Sequence, residues 1–277
     1  MKPNGLLITV LVLVLSAHHC NAKQLIDGIE VLTTLDELVD PAHTMVLVID
    51  MQNESLLDCG HYYADVPGWK RENPVPEEPK ISKHFEETHD IARLAKFLDA
   101  ARSTGVGVAY IEIIFLGGLD HSGIPLFHRN QVKPPSDTGR WWSLTIDPLA
   151  PKEGETIFYK PTGDSFQETN LDAFLRARSI KSVILVGTAT NGCVMGTTWG
   201  AELHGYYPVI VRDCVNYGTE EQRKNAQFGA PKEDPPDNHP GAYYERCLSF
   251  MDSRYPVYES DEILSAWKEL KQPDPEE

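Results

Sequence analysis

The apolar run Ser182-Val-Ile-Leu-Val-Gly187 constrains this chain more than any other stretch. It is short, rich in β-branched residues, uncharged, and ends in a glycine. A strand buried on both faces of a parallel sheet reads this way. A small polar turn, Thr188-Ala-Thr-Asn-Gly192, leads from it to Cys193 and then to Val-Met-Gly-Thr-Thr. A strand that turns directly into a helix sets its first helical residue at the strand's carboxyl end, where open α/β sheets bind ligands. At such a helix N-terminus the dipole and the unpaired N–H groups favour a thiolate. A lone cysteine is more often an inert core thiol. The surroundings of Cys193 therefore decide its meaning.

The rest of the chain alternates strand and helix. Thr44-Met-Val-Leu-Val-Ile-Asp50 is a second apolar run. Residues 86–103 carry Ile91, Leu94, Ala95, Leu98 and Ala101 at helical spacing, and Gly105 stops that helix. Val106 to Phe115 predicts a strand, Leu171 to Arg178 a helix, residues 193–204 a helix capped by Gly205, and Tyr207 to Asp213 another strand. Residues 241–253 are helical in pattern, Pro256 to Tyr258 form a short strand, and Ser260-Asp-Glu-Ile opens a last helix. The expected fold is α/β: a three-layer α-β-α sandwich around a mainly parallel, Rossmann-like six-stranded sheet. Two Pro-rich stretches, 58–84 and 218–240, read as long loops, the first as a lid or subunit contact.

Residues 1–22 read as a secretory signal peptide. Lys2 supplies the positive end, Leu6 to Leu15 the apolar run, and Cys20-Asn21-Ala22 a small-x-small cleavage site. Residues 23–277 then form a single exported domain, long enough to bury a core without staples. The formal charge is −16, and −17 once Lys2 leaves. Such a balance argues against nucleic acid or an anionic membrane as partner, and says little about a small-molecule substrate, because a local basic pocket can sit in an acidic protein. Cys59, Cys193, Cys214 and Cys247 remain after cleavage. An even number in a secreted chain suggests two disulfides, and a bridge to Cys193 would silence it as a nucleophile. Asn53-Glu-Ser55 is a formal glycosylation sequon, expected to be unused because it sits at a strand end facing the site.

Two further residues stand at strand ends. Asp50 closes its apolar strand, a costly place for a carboxylate that is neither paired nor used. Lys160 ends Glu155-Thr-Ile-Phe-Tyr-Lys160 before Pro161. A lysine there is ordinarily a solvated edge charge. With their neighbours, however, these residues resemble the isochorismatase-like cysteine hydrolases over about residues 42–270. Val-Ile-Asp50-Met-Gln-Asn53 is similar to that family's aspartate motif. Tyr159-Lys160-Pro-Thr-Gly-Asp-Ser-Phe166, with Thr169 and Leu171, is similar to its lysine motif. Gly187-Thr-Ala-Thr-Asn-Gly-Cys193 is similar to its nucleophile motif.

The resemblance implies a catalytic triad of Asp50, Lys160 and Cys193, with Asp50 as general base and Lys160 favouring the thiolate. It implies an oxyanion site at the Cys193 and Ala189 N–H groups, and a cis peptide between Thr188 and Ala189. Thr188, Ala189 and Gln52 are the expected oxyanion or substrate-binding residues. It also implies a homodimer or larger assembly. A nicotinamidase-type metal site is not expected. Ile114 stands where its first histidine should be, Glu112 alone remains as an acid, and His121 and His128 lie further on in a loop. No cofactor is expected either. Ser55 replaces the apolar residue five positions after the aspartate, which weakens an aromatic-amide reading. Retention of Cys193 favours C–N hydrolysis of a small amide or ureide through a thioester. The alternatives are vinyl-ether hydrolysis of the isochorismatase type, an idle secreted binding protein, and a storage or structural protein. Trp141 and Trp142 read as core or interface residues, and Trp199 as packing.

Overall fold

The computed structural model describes residues 24–58, 78, 80–114, 141–226 and 240–270. The signal-peptide reading, Cys59, Phe115, His121 and His128 lie outside the described residues, as does the side chain of Trp142. The chain divides into two compact units, Met1–Thr33 and Thr34–Glu277. In the first, β1 (Gln24–Ile26) and β2 (Ile29–Val31) pair antiparallel around Asp27-Gly28. Both turn residues have positive φ, 51° and 81°. Asp-Gly supplies that conformation cheaply, which makes this two-residue hairpin a local event.

The second unit is built on one sheet. Its strands are β3 (Thr44–Ile49), β4 (Gly107–Ile113), β5 (Thr156–Lys160), β6 (Ser182–Gly187), β7 (Tyr207–Val215) and β8 (Val257–Tyr258). They lie in the order β5-β4-β3-β6-β7-β8, and every neighbouring pair is parallel. The expected six-stranded α/β sheet is therefore present and is parallel throughout. All residues of β3 and β6 are buried, as uncharged central runs require. Met45, Leu47 and Ile49 join Val183 and Leu185 in a core completed by Leu171 and Leu175 of α5 (Leu171–Ala177). Ala201 of α6 (Met195–Leu203) and Leu248 and Met251 of α8 (Pro240–Asp252) belong to the same core. On the other side α1 (Leu35–Val39), α4 (Ile91–Thr104) and α9 (Ser260–Leu270) pack together, while the short helices α2 (Asn53–Leu56) and α7 (Glu220–Asn225) follow β3 and β7. There the Trp267 Nε1–H donates to the Val39 carbonyl at 2.8 Å, and its ring meets Phe97 with centroids 5.1 Å apart.

Three expectations need correction. The single helix over 86–103 is two, α3 (Lys83–Thr88) and α4, broken at His89-Asp90. Asp90 is the reason. Its carboxylate accepts the Arg93 N–H at 2.9 Å, and an N-cap residue leaves the helical region. Gly105 ends α4 at φ 91°, as expected. The two-disulfide expectation also fails, because Cys193, Cys214 and Cys247 carry free thiols. Cys214 is sealed inside β7, and Cys247 approaches the Met195 sulfur at 4.0 Å. Trp199 is 42 % exposed, because the buried side of α6 is Thr197, Thr198, Gly200 and Ala201.

The strand order positions the site. The chain enters the sheet at β3, builds outward through β4 and β5, and returns to lay β6 on β3's other side. The carboxyl ends of β3 and β6 thus flank a topological switch point, where crossovers leave a crevice. Gly187 shapes the end of β6 there. Its φ is 109°, and a Cβ would stand 2.2 Å from the Ile49 carbonyl oxygen. Only glycine fits both constraints.

Candidate active site

Asp50 follows β3 at φ 52°, while its N–H still donates to the Ile111 carbonyl at 2.8 Å. The left-handed residue ends the strand and leaves the carboxylate buried at the crevice. Lys160, the last residue of β5, is wholly buried and not the solvated edge charge its position suggests. Its ammonium donates to Asp50 Oδ2 at 2.9 Å and to the Thr162 carbonyl at 2.9 Å. The loop beyond Lys160 is clamped to α6. Ser165 and Thr197 share a hydroxyl hydrogen bond of 2.7 Å. Gly196 and Gly200 let the helix approach so closely that a Cβ on either would collide with Gly163 or Asp164.

Cys193 lies in a π turn, Thr190–Val194, just ahead of α6, instead of being the first residue of an α-helix. Gly192 departs from helical geometry at φ −131°, ψ −106°. The half-buried thiol feels both Asp50 and Lys160. Asp50 Oδ1 is buried and, among the described residues, has no hydrogen-bond partner. One carboxylate oxygen is therefore tied to Lys160 and the other is free to take a proton. The structure brings Asp50, Lys160 and Cys193 together as the sequence suggested.

The turn between β6 and Cys193 has the expected cis peptide at Thr188–Ala189. The Ala189 carbonyl accepts from Gly192 N–H at 2.9 Å and Val194 N–H at 3.1 Å, passing over the Cys193 N–H between them. Among the described residues the Ala189 N–H donates to no protein group.

A family model described as the isochorismatase domain matches residues 44–230. The chain belongs to the isochorismatase family. The ureidoacrylate amidohydrolase RutB of Agrobacterium fabrum is 30 % identical over 194 residues, covering 64 % of this chain and 77 % of that protein. The RutB of Methylobacterium radiotolerans is 28 % identical over 208 residues, covering 68 % of this chain and 72 % of that one. The fold resembles a cysteine hydrolase from Pseudomonas syringae pv. phaseolicola, with TM-score 0.60 and 21 % identity, covering 84 % of this chain and 95 % of that one. It also resembles the N-carbamoylsarcosine amidase of Thermoplasma acidophilum, with TM-score 0.51 and 21 % identity over 79 % and 97 % of the two chains.

Other residues of this isochorismatase-family chain hold the site from behind. Gln52 was expected near substrate, but its amide is spent on backbone. Nε2 donates to the Ile113 and Ser143 carbonyls, both at 3.1 Å, and Oε1 accepts the Ile113 N–H at 2.9 Å. It works as a clamp between the ends of β3 and β4. Asn53 is buried too, and its Nδ2 donates to the Trp141 carbonyl at 2.7 Å, a geometry with no room for a glycan. Glu112, at the end of β4, accepts from the Thr145 N–H at 3.2 Å and hydroxyl at 3.0 Å. Burial nevertheless raises its pKa to about 7, and the charge of Asp50 adds to that rise.

Thiol ionisation departs from expectation. Burial first, and then the Asp50 charge, push the Cys193 thiol up to about 12, while Lys160 pulls it down by less. Burial and the neighbouring carboxylate thus favour the protonated thiol over the thiolate. Removing the Asp50 charge takes away a raising influence and leaves the Lys160 one. Asp50→Asn is therefore expected to lower the midpoint pH of Cys193 alkylation by iodoacetamide. A midpoint that rises or stays put would overturn this electrostatic account.

His89 was not singled out by sequence. It is buried under the turn, with the Gly187 and Cys214 carbonyls near its ring but neither nitrogen in hydrogen-bond geometry. Burial lowers its pKa from 6.5 to about 4. The unfolded chain therefore binds a proton below pH 6.5 that the folded chain refuses. His89 contributes fully above that pH, and its share is lost as pH falls toward 4, by about 3 kcal/mol in all. Urea unfolding across this window is expected to show a shallower loss for His89→Gln than for wild type, and parallel curves would contradict it.

Proposed function

We propose that this isochorismatase-family hydrolase cleaves a C–N bond of a small amide or ureide through a Cys193 thioester. The observation that carries the reading is the buried Asp50 Oδ1, without a hydrogen-bond partner among the described residues, beside a thiol and a buried ammonium. A thiol near pKa 12 is a poor nucleophile at rest, so its proton must leave as attack occurs. Asp50 Oδ1 is the acceptor for that proton. The sulfur bonds to the carbonyl carbon, and charge gathers on the carbonyl oxygen. The Ala189 N–H, unclaimed among the described residues, and the Cys193 N–H would meet it as donors, of a kind commonly worth about 3 kcal/mol each. The C–N bond then breaks, and the leaving nitrogen takes the proton back from Asp50. Water attacks the thioester carbon and gives a proton to Asp50; the C–S bond then breaks, the acid product leaves, and the sulfur takes that proton back from Asp50 to restore the thiol.

The named activities of the RutB relatives and of the N-carbamoylsarcosine amidase neighbour support a carbonyl carbon bound to nitrogen as the target. The test is ammonia or amine release from a panel of primary amides and ureides, ureidoacrylate and N-carbamoylsarcosine included. Release by wild type that falls by more than about a thousandfold in Cys193→Ala is expected. No release on any member, with isochorismate consumed equally by both proteins, would replace the amidase reading with vinyl-ether hydrolysis.

Export and self-association belong to the same proposal. Lys2, the apolar run Leu6 to Leu15 and Cys20-Asn21-Ala22 support cleavage before Lys23. Trp199 and Leu203, four residues apart on α6, share one face and are 42 % and 83 % exposed, which supports a second copy as cover. An exported chain that begins at Lys23 and elutes above its monomer mass is expected. A retained chain with intact Met1, or a monomer, would refute the corresponding half.

A further inference from the structure

Asn216 lies just past β7, buried completely and outside every motif the sequence presented. The β6–β7 register shifts so that Val215 pairs with Gly187, which brings the next residue level with Thr188. Asn216 makes three hydrogen bonds there. Its Oδ1 accepts the Thr188 hydroxyl at 2.6 Å, its Nδ2 donates to the Thr88 hydroxyl oxygen at 3.3 Å, and its main-chain carbonyl accepts the Thr190 hydroxyl at 2.6 Å. It thus holds both sides of Ala189.

The direction of this chain of bonds is fixed. The Thr88 hydroxyl has one proton, and it donates that proton to the His84 carbonyl at 2.7 Å. Toward Asn216 it acts only as acceptor, so the amide must present its NH2 to Thr88. The amide oxygen then necessarily faces Thr188. The Tyr217 N–H donates to the Thr88 carbonyl at 2.9 Å and prevents the segment from sliding. One end of the relay is the last turn of α3, and the other is the residue that precedes the Ala189 N–H, which has no partner among the described residues.

We infer that Asn216 is a positioning residue: through Thr188 and Thr190 it aims the Ala189 N–H at the oxygen where charge gathers in the reaction. The inference rests on the proposed C–N hydrolysis. Asn216 touches no reacting atom, and its effect is confined to the step in which that oxygen becomes negative. A donor misaimed by a fraction of an ångström to an ångström commonly costs up to about a hundredfold in rate.

The experiment compares Thr188→Val, Asn216→Ala, the double variant and Thr188→Ser, on the best substrate of the amide and ureide panel. Thr188→Val keeps the shape of the side chain and removes the hydroxyl, so it remains informative if Asn216→Ala folds poorly. Both single variants are expected to lose about 10- to 100-fold in kcat with little change in KM, and the double variant no more than the worse single. Thr188→Ser is expected to restore most of what Thr188→Val loses. Iodoacetamide alkylation of Cys193 forms no oxyanion and is expected to proceed at the wild-type rate in all four. Wild-type kcat in either single variant overturns the inference. Alkylation that falls in step with kcat overturns it as well, because it shows a generally disturbed site. Wild-type protein that turns over no amide or ureide sinks the functional reading, and the inference with it.

Discussion

A buried ion pair organises this molecule. Lys160 and Asp50 meet at 2.9 Å with neither side chain open to water. Two charges taken out of water are a liability unless their geometry is good and their remaining groups are satisfied. Lys160 has the Thr162 carbonyl as a further acceptor. Among the described residues, Asp50 has the lysine on one oxygen and no hydrogen-bond partner on the other, which lies near the thiol. The pair is therefore half satisfied, and a packed apolar contact would serve stability as well or better. What it supplies is a carboxylate oxygen held ready beside a thiol. Breaking the pair from either side would leave one buried charge alone, at about 3–5 kcal/mol. The sheet has to be assembled before that geometry exists, because Asp50 and Lys160 come from strands separated by β4.

Several local devices keep the three elements in register around the pair. Gly187 lets the end of β6 lie against Ile49, which fixes the turn relative to Asp50. Gln52 ties the segment after β3 to the end of β4. Gly196, Thr197 and Gly200 bring α6 hard against the loop that follows Lys160. Each acts on a different strand end, and none faces the reacting atoms. Together they remove the freedom that long crossovers would otherwise leave at the crevice, and positions held this way are what proximity effects require.

The parts legible in sequence were those written in short range. Buried parallel strands announce themselves as uncharged β-branched runs, and Asp50, Lys160 and Cys193 are conspicuous because each stands where such a run ends. Asp27-Gly28 between Ile26 and Ile29 was an equally local hairpin signal that the alternation of long elements obscured. Asp90 was a readable cap hidden inside an apparently continuous helical spacing. The remainder depends on partners far away in the chain. Nothing around Gln52 says that its amide meets Ile113 and Ser143. Nothing around Asn216 says that a register shift in β7 will bring it to Thr188. Polar residues in turns look alike until the turn is placed.

Thiol ionisation shows the same limit in energetic form. A cysteine ahead of a helix and near a lysine reads as an activated thiolate, because dipole and charge both point that way. Burial is absent from that reading, and burial is the largest influence on Cys193. Once it is included, the sign reverses and the division of labour among the three residues changes. Lys160 does not by itself ionise the thiol; it limits the penalty that burial and Asp50 impose. Asp50 opposes a standing thiolate, and the same charge is what the proposed proton transfer from sulfur would use. A thiol kept protonated between turnovers is also a poor target for oxidants, since oxidation follows thiolate character.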